Sequence, residues 1–227
     1  IKYLVKDGRY DYIETGSLMS INANVKDINI PSEEHRIDMF PMDFEEFLWA
    51  LGDDMMMDYT RECFANRKPL GQSLHRKMME YFRLYMIIGG MPQAVKEWIE
   101  TKDFDEVDRT KRNILSLYRS DISKYASGQE TKVTRIFDTI PSQLQKHEKK
   151  FRLSSLGQGV RSRSVENAFF WLEESRVVNV CFAATEPTVG LEMRVDESAR
   201  KIYMADTGLL ISHSFSEAKI RAEELYR

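Results

Sequence analysis

Apolar residues recur every three or four positions through the middle of the chain, and that spacing predicts helices. Leu74, Met78, Phe82, Tyr85 and Ile88 share one face, which Gly89-Gly90 should end. Pro92 suits the first turn of a following helix that buries Val95, Trp98 and Ile99. A third helix opens at Asp103, with Glu106 three residues on as in a capping box, and its stripe is Phe104, Val107, Ile114, Tyr118, Ile122 and Tyr125. Upstream the pattern changes. Tyr10–Glu14 is short, aromatic and β-branched, and runs into Thr15-Gly16-Ser17, so it predicts a strand ending in a turn. Arg36–Phe40 predicts a second strand, with Ile37 and Met39 alternating against polar neighbours, stopped by Pro41. Asp43 then caps a helix that holds Phe44, Phe47, Leu48 and Leu51 and stops at Gly52.

The last third has another order. A helix around Val133, Ile136 and Phe137 meets Pro141, which should break it or start a new short helix. Phe151, Leu153 and Leu156 mark a second short helix, and Gly157-Gln158-Gly159 a turn. A third helix, about 164–176, turns Val165, Ala168, Phe169 and Leu172 to one side. Strand-like runs follow at 177–182, 191–195 and 201–205, the last two read as a hairpin about Asp196-Glu197-Ser198. Three helices followed by a hairpin is the order of a winged helix-turn-helix. The fold expected is therefore mixed α/β and mainly helical, with divisions at 1–52, 53–128, 129–213 and a charged tail at 214–227.

Composition narrows the class. With 42% hydrophobic and 30% charged residues among 227, the chain can build a core and is neither disordered nor fibrous. A net charge of −3 gives no chain-wide basic field. Charge is instead segregated. Residues 33–62 hold ten acids against two arginines and read as a solvated, mobile face, within which Met55-Met56-Met57 reads as soft core packing. No apolar run reaches the roughly 18–20 residues needed to cross a membrane, which makes the cytoplasm the expected location. The chain opens at Ile1, so it reads as a piece of a longer protein.

Several chemistries fail on residue type and spacing. A P-loop requires G-x-x-x-x-G-K-[ST], whose amides cradle phosphates, and none is present. The four histidines are scattered without i, i+4 pairing, so no metal site is expected. Cys63 and Cys181 read as buried thiols, and no G-x-S-x-G elbow exists. Asp206 invites a catalytic role, but capping the helix at Leu209-Leu210-Ile211 accounts for it. One segment has a clear electrostatic signature. Between Lys146 and Arg163 there are six cations (Lys146, Lys149, Lys150, Arg152, Arg161, Arg163) against Glu148 alone. Arg161 and Arg163 open the third helix of the expected winged unit, where side chains meet base edges and phosphates. The readings left open for that unit are DNA binding and docking on a protein.

Tyr12-Ile13-Glu14-Thr15-Gly16-Ser17, followed by Pro41-Met42-Asp43-Phe44-Glu45-Glu46-Phe47-Leu48, resembles the last part of a prokaryotic AAA-type (P-loop) ATPase core. The likeness continues through Tyr85 with Gly89, Gly90 and Pro92, and ends at Lys201, Tyr203, Asp206, Thr207, Gly208 and Leu209, a pattern of the domain of unknown function commonly fused behind such ATPases. The resemblance implies the end of an α/β core, a helical lid and a winged-helix region, with Walker A and Walker B outside the chain. It implies that Thr15, Gly16 and Ser17 occupy the sensor loop against the γ-phosphate, an ordinary strand-end turn being the alternative. Arg36 falls where the family shows Gly-Arg and would stabilise charge, although His35 replaces that glycine and a surface arginine remains the alternative. ATP and Mg belong to the complete protein on this view, and none is expected tightly bound to these residues alone. The partners implied are the missing P-loop segment, and DNA or a protein at the winged helix, with a homo-oligomer left open.

Overall fold

A computed structural model describes residues 8–13, 15–16, 35, 37–126, 128–148, 150–186 and 189–215. The described residues are mainly helical, with eight α-helices and a small sheet. They divide into two compact units. One comprises Pro41–Ser120 with Met204–Arg227, and the other Ile1–Phe40 with Asp121–Tyr203. The boundaries expected at 52, 128 and 213 do not coincide with this division.

The first unit contains α1 (Phe44–Ala50), α2 (Met55–Ala65), α3 (Gln72–Ile88), α4 (Pro92–Thr101), most of α5 (Phe104–Tyr125) and α8 (Thr207–Ser214). Local chemistry sets the starts. The Asp43 carboxylate accepts the Glu46 N–H at 2.9 Å, while Glu46 accepts the Asp43 N–H at 2.9 Å, a complete capping box. At α5, Asp103 accepts the Asp105 N–H at 2.8 Å, and Glu106 pairs with Arg109 instead of closing a box. Phe47, Leu84, Ile88, Ala94, Val95 and Val107 form the core, with Tyr85, Trp98 and Phe104 packed on it. A second cluster of Leu48, Met56 and Met78 anchors α2. The acidic stretch expected to be mobile is thus helical over Met55–Ala65, because Met56 is buried and Glu45–Arg61 and Asp53–Lys77 ion pairs offset part of the repulsion. Of the methionine trio, Met55 is exposed and only Met56 is buried.

The second unit holds α6 (Glu130–Leu144), α7 (Glu166–Glu174), β1 (Val178–Ala184) and β2 (Val195–Met204, its last residue falling in the first unit), with 3-10 turns at Leu153–Leu156, Ser162–Ser164 and Leu191–Arg194. Val133, Ile136, Phe137 and Ile140 on α6 are fully buried, as are Ala168 and Leu172 on α7, and the two helices pack together. Pro141 does not break α6, which runs on to Leu144. The proline sits in the last turn and is itself buried, so its packing offsets the one N–H bond that it forfeits.

The hairpin differs from expectation in register. β1 and β2 form a two-stranded antiparallel sheet among the described residues, closed by the Thr185 N–H donating to the Arg194 carbonyl at 2.9 Å. Residues 191–194 are a 3-10 turn, entered at Gly190 in the left-handed region, and 196–198 lie within β2 rather than in a turn. Neither of the two expected N-terminal strands is found among the described residues, Glu14 and Arg36 lying outside them. Residues 10–13 and 37–40 have no regular structure, since a strand requires a neighbour for its backbone groups and none pairs with them among the described residues. Asp38 instead pairs with Arg176 at 2.8 Å, and that guanidinium lies over Phe40.

Candidate functional site

Two groups of charged residues stand out, one in each unit. In the second unit the exposed basic segment runs from the end of α6 to the start of α7. Lys146, Lys150, Arg152, Arg161 and Arg163 are all exposed, and Arg152 pairs with Glu148 at 2.7 Å. Lys149 lies outside the described residues. The segment is held by its apolar residues. Phe151 and Leu156 are buried, and Phe151 meets Phe169 edge to face. The Phe151 N–H donates to the Arg200 carbonyl of β2 at 2.8 Å, so an extended stretch between the first and second helical segments pairs with the last strand. Arg200 is buried, stacked on Phe169 and Phe182, with its guanidinium donating to Ser162 Oγ at 3.3 Å. Ser162–Ser164 then turns the chain into α7, whose Val165, Ala168 and Phe169 face inward and leave Arg161 and Arg163 outward.

Two cations that sequence reading passed over join this arrangement. On α6, Lys132 Nζ donates to the Ser164 carbonyl at 2.8 Å and Arg135 Nη1 donates to the Leu156 carbonyl at 3.2 Å. The first bond ties the turn that presents Arg161 and Arg163 to α6, and the second ties the Leu153–Leu156 turn to it. The signal was the i, i+3 spacing of two cations beside the buried stripe of α6, but their partners lie 21 and 32 residues away and no local pattern shows that.

In the first unit the charges are buried. Asp206, 4% exposed, caps α8 by accepting the Leu209 N–H on Oδ1 at 2.7 Å and accepts the Gly90 N–H on Oδ2 at 2.6 Å. Capping, not catalysis, therefore explains Asp206. Gly90 also passes its carbonyl to the Met42 N–H at 2.8 Å, and the Tyr85 hydroxyl donates to the Met42 carbonyl at 3.0 Å. The chains approach so closely that a Cβ on Gly90 would run into the Met42 carbonyl, and one on Gly208 into the Ile88 carbonyl. Lys111, 1% exposed, donates to the Ile87 carbonyl at 2.8 Å. Burial pushes its pKa down to about 8, partly countered by Asp108 and Asp206. Burial likewise raises the Asp206 carboxyl, against the pull of the backbone N–H groups and Lys111. Lys111 falls in the gap of the α5 stripe between Val107 and Ile114, on the buried face. A helix-to-helix bond from Ser212 Oγ to Asp108 at 2.6 Å completes the tie of α8 to α5.

Of the residues expected to sense phosphate, two fall among the described residues. Thr15 and Gly16 are exposed and outside any helix or strand, while Ser17 and Arg36 lie outside the described residues. Of the two thiols expected to be buried, Cys63 is buried and Cys181 is exposed on β1, because β1 leaves the core after Val178. Among the described residues no helix is long and apolar enough to cross a membrane.

Comparison with known proteins gives one family. The profile described as Domain of unknown function (DUF8612) matches residues 79–219, which takes in Gly89–Pro92, the basic segment and Asp206–Leu209. No curated protein matches the chain, and no solved structure does. The match covers more than half of the 227 residues, and the chain belongs to the family of that Domain of unknown function (DUF8612).

Proposed function

We propose that residues 121–203 form a winged-helix-like module that docks on duplex DNA through its phosphates, acting in the cytoplasm. The observation that carries the reading is the pair Arg161 and Arg163, exposed at the entry to α7 while the inner face of that helix is buried against α6. The Phe151–Arg200 backbone bond supports it, since it adds an extended stretch to the β1–β2 hairpin behind three helical segments. Exposed arginines on a rigid turn suit planar, bidentate phosphate recognition, and their attraction is screened by salt. The test is a gel-shift titration of the whole chain with a duplex over a salt series. The observed association constant should fall steeply with salt, with a log–log slope of about −0.9 per neutralised phosphate. Failure to retain duplex at low salt overturns the reading.

A second reading keeps the ATPase resemblance. The motif residues that suggested it, Gly90 and Asp206, are 116 positions apart and joined by a hydrogen bond, which favours their being parts of one inherited junction rather than chance matches. On this reading ATP and Mg bound by the complete protein drive movement of the helical and winged-helix regions, with Thr15, Gly16, Ser17 and Arg36 the residues of this chain nearest that chemistry. ATP hydrolysis by the complete protein, measured before and after Thr15→Ala with Ser17→Ala, decides it. Unchanged hydrolysis removes the sensor role.

A further inference from the structure

We propose that a cavity between the start of α6 and the turn leading into α7 receives a single phosphate group of the nucleic-acid backbone, held by Lys132 and Arg135. The proposal rests on the winged-helix DNA reading and names a contact within it. The cavity measures about 140 Å³ and is lined by Thr131, Lys132, Arg135 and Ser164 over a floor of Leu156 and Val160. Its volume admits a tetrahedral oxyanion together with water. No acidic side chain lines it. Glu130, the neighbouring acid, has its carboxylate bonded to the Gly128 N–H at 2.8 Å.

Donor capacity is the second argument. An ammonium carries three N–H donors and a guanidinium five. Lys132 spends one donor on the Ser164 carbonyl and Arg135 one on the Leu156 carbonyl, and neither forms an ion pair among the described residues. Both therefore retain donors beside a cavity, at fixed positions. Thr131 adds a hydroxyl, and both Thr131 and Lys132 stand in the first turn of a helix of 15 residues, where the backbone dipole favours an anion. The cavity borders Ser164, in the turn that carries Arg163. A backbone phosphate seated there fixes the duplex relative to Arg161 and Arg163 without reading sequence.

The experiment compares Lys132→Gln, Arg135→Gln and the double variant with the charge-conserving Lys132→Arg and Arg135→Lys, all in the full chain. Duplex affinity is measured over a salt series by fluorescence anisotropy, and folding is checked by urea denaturation. The double charge-removing variant should lower the salt slope by about 0.9, the share of one phosphate, each single variant by no more than that, and the charge-conserving variants should keep the slope of the original chain. Affinity that drops with an unchanged slope overturns the proposal, because the two cations then only brace the turn. A second arm uses inorganic phosphate against chloride at equal ionic strength, read by the amide resonances of Thr131, Lys132 and Ser164. Saturable shifts that vanish in the double variant support the cavity as a phosphate site even if no duplex binds, which would sink the DNA reading alone. No shift in the original chain overturns the cavity itself.

Discussion

The two charged regions differ in what their hydrogen bonds are already committed to. Around Asp206 and Lys111 the charges are buried, and they are bonded to backbone groups of Gly90, Leu209 and Ile87 within one unit. Around Arg161 and Arg163 they are exposed, and the supporting cations Lys132 and Arg135 keep donors to spare. A buried, committed charge is expensive to disturb and holds the fold. An exposed charge on a braced turn costs little to the fold and is available to a partner. The contrast separates two motifs that look equally chemical in the sequence: D-T-G-L is a structural junction, and R-S-R-S is the candidate contact.

Asp206→Ala should give the largest effect. It leaves the Gly90 and Leu209 amides without their acceptor and takes from Lys111 one of its two neighbouring carboxylates, Asp108 remaining, at a cost of about 3–5 kcal/mol. A urea midpoint shifted by under about 1 kcal/mol in equivalent stability would show the junction to be dispensable. Gly90→Ala should also destabilise, since its added methyl meets the Met42 carbonyl.

Next comes the pH dependence of Lys111. Its pKa is about 8 in the fold against 10.5 ordinarily, so between those values the unfolded chain holds a proton that the folded chain has released. More protons on the unfolded side mean that stability rises with pH across that window, by up to roughly 3 kcal/mol, and below pH 8 the full burial cost is felt. Lys111→Met should remove that rise. Urea midpoints of both proteins at pH 7 and pH 9.5 check it, and parallel pH profiles would contradict it.

These two effects also show what the sequence made legible. The helices of the first unit were readable because their stripes, capping residues and glycine stops agree: Asp43, Gly52, Gly89 and Pro92 each do what their chemistry dictates. Lys111 was overlooked because a lysine inside an apolar stripe reads as an interruption, although its spacing placed it on the buried face. The hairpin was misregistered because Leu191–Val195 alternates like a strand, while Gly190 and the Thr185–Arg194 bond make it a turn. At the candidate site, Arg161 and Arg163 were visible as a local excess of charge. Lys132 and Arg135 were not, since their part depends on carbonyls that only the tertiary fold brings near.

The smallest effects belong to the exposed region. Arg161→Gln with Arg163→Gln should change the free energy of unfolding by less than about 0.5 kcal/mol, in contrast with Asp206→Ala. Cys181, exposed on β1, should react with a maleimide in the folded chain within the time that Cys63 stays protected, and Cys181→Ser should leave stability within about 0.5 kcal/mol. Equal labelling of both thiols under native conditions would contradict the exposed course of β1.

The most direct measurement is the salt dependence of duplex binding for the original chain beside the Arg161→Gln, Arg163→Gln double variant. The account expects the slope of log affinity against log salt to become shallower by about 1.8, with an unchanged urea midpoint. Equal slopes in two equally stable proteins would mean that these arginines meet no phosphate.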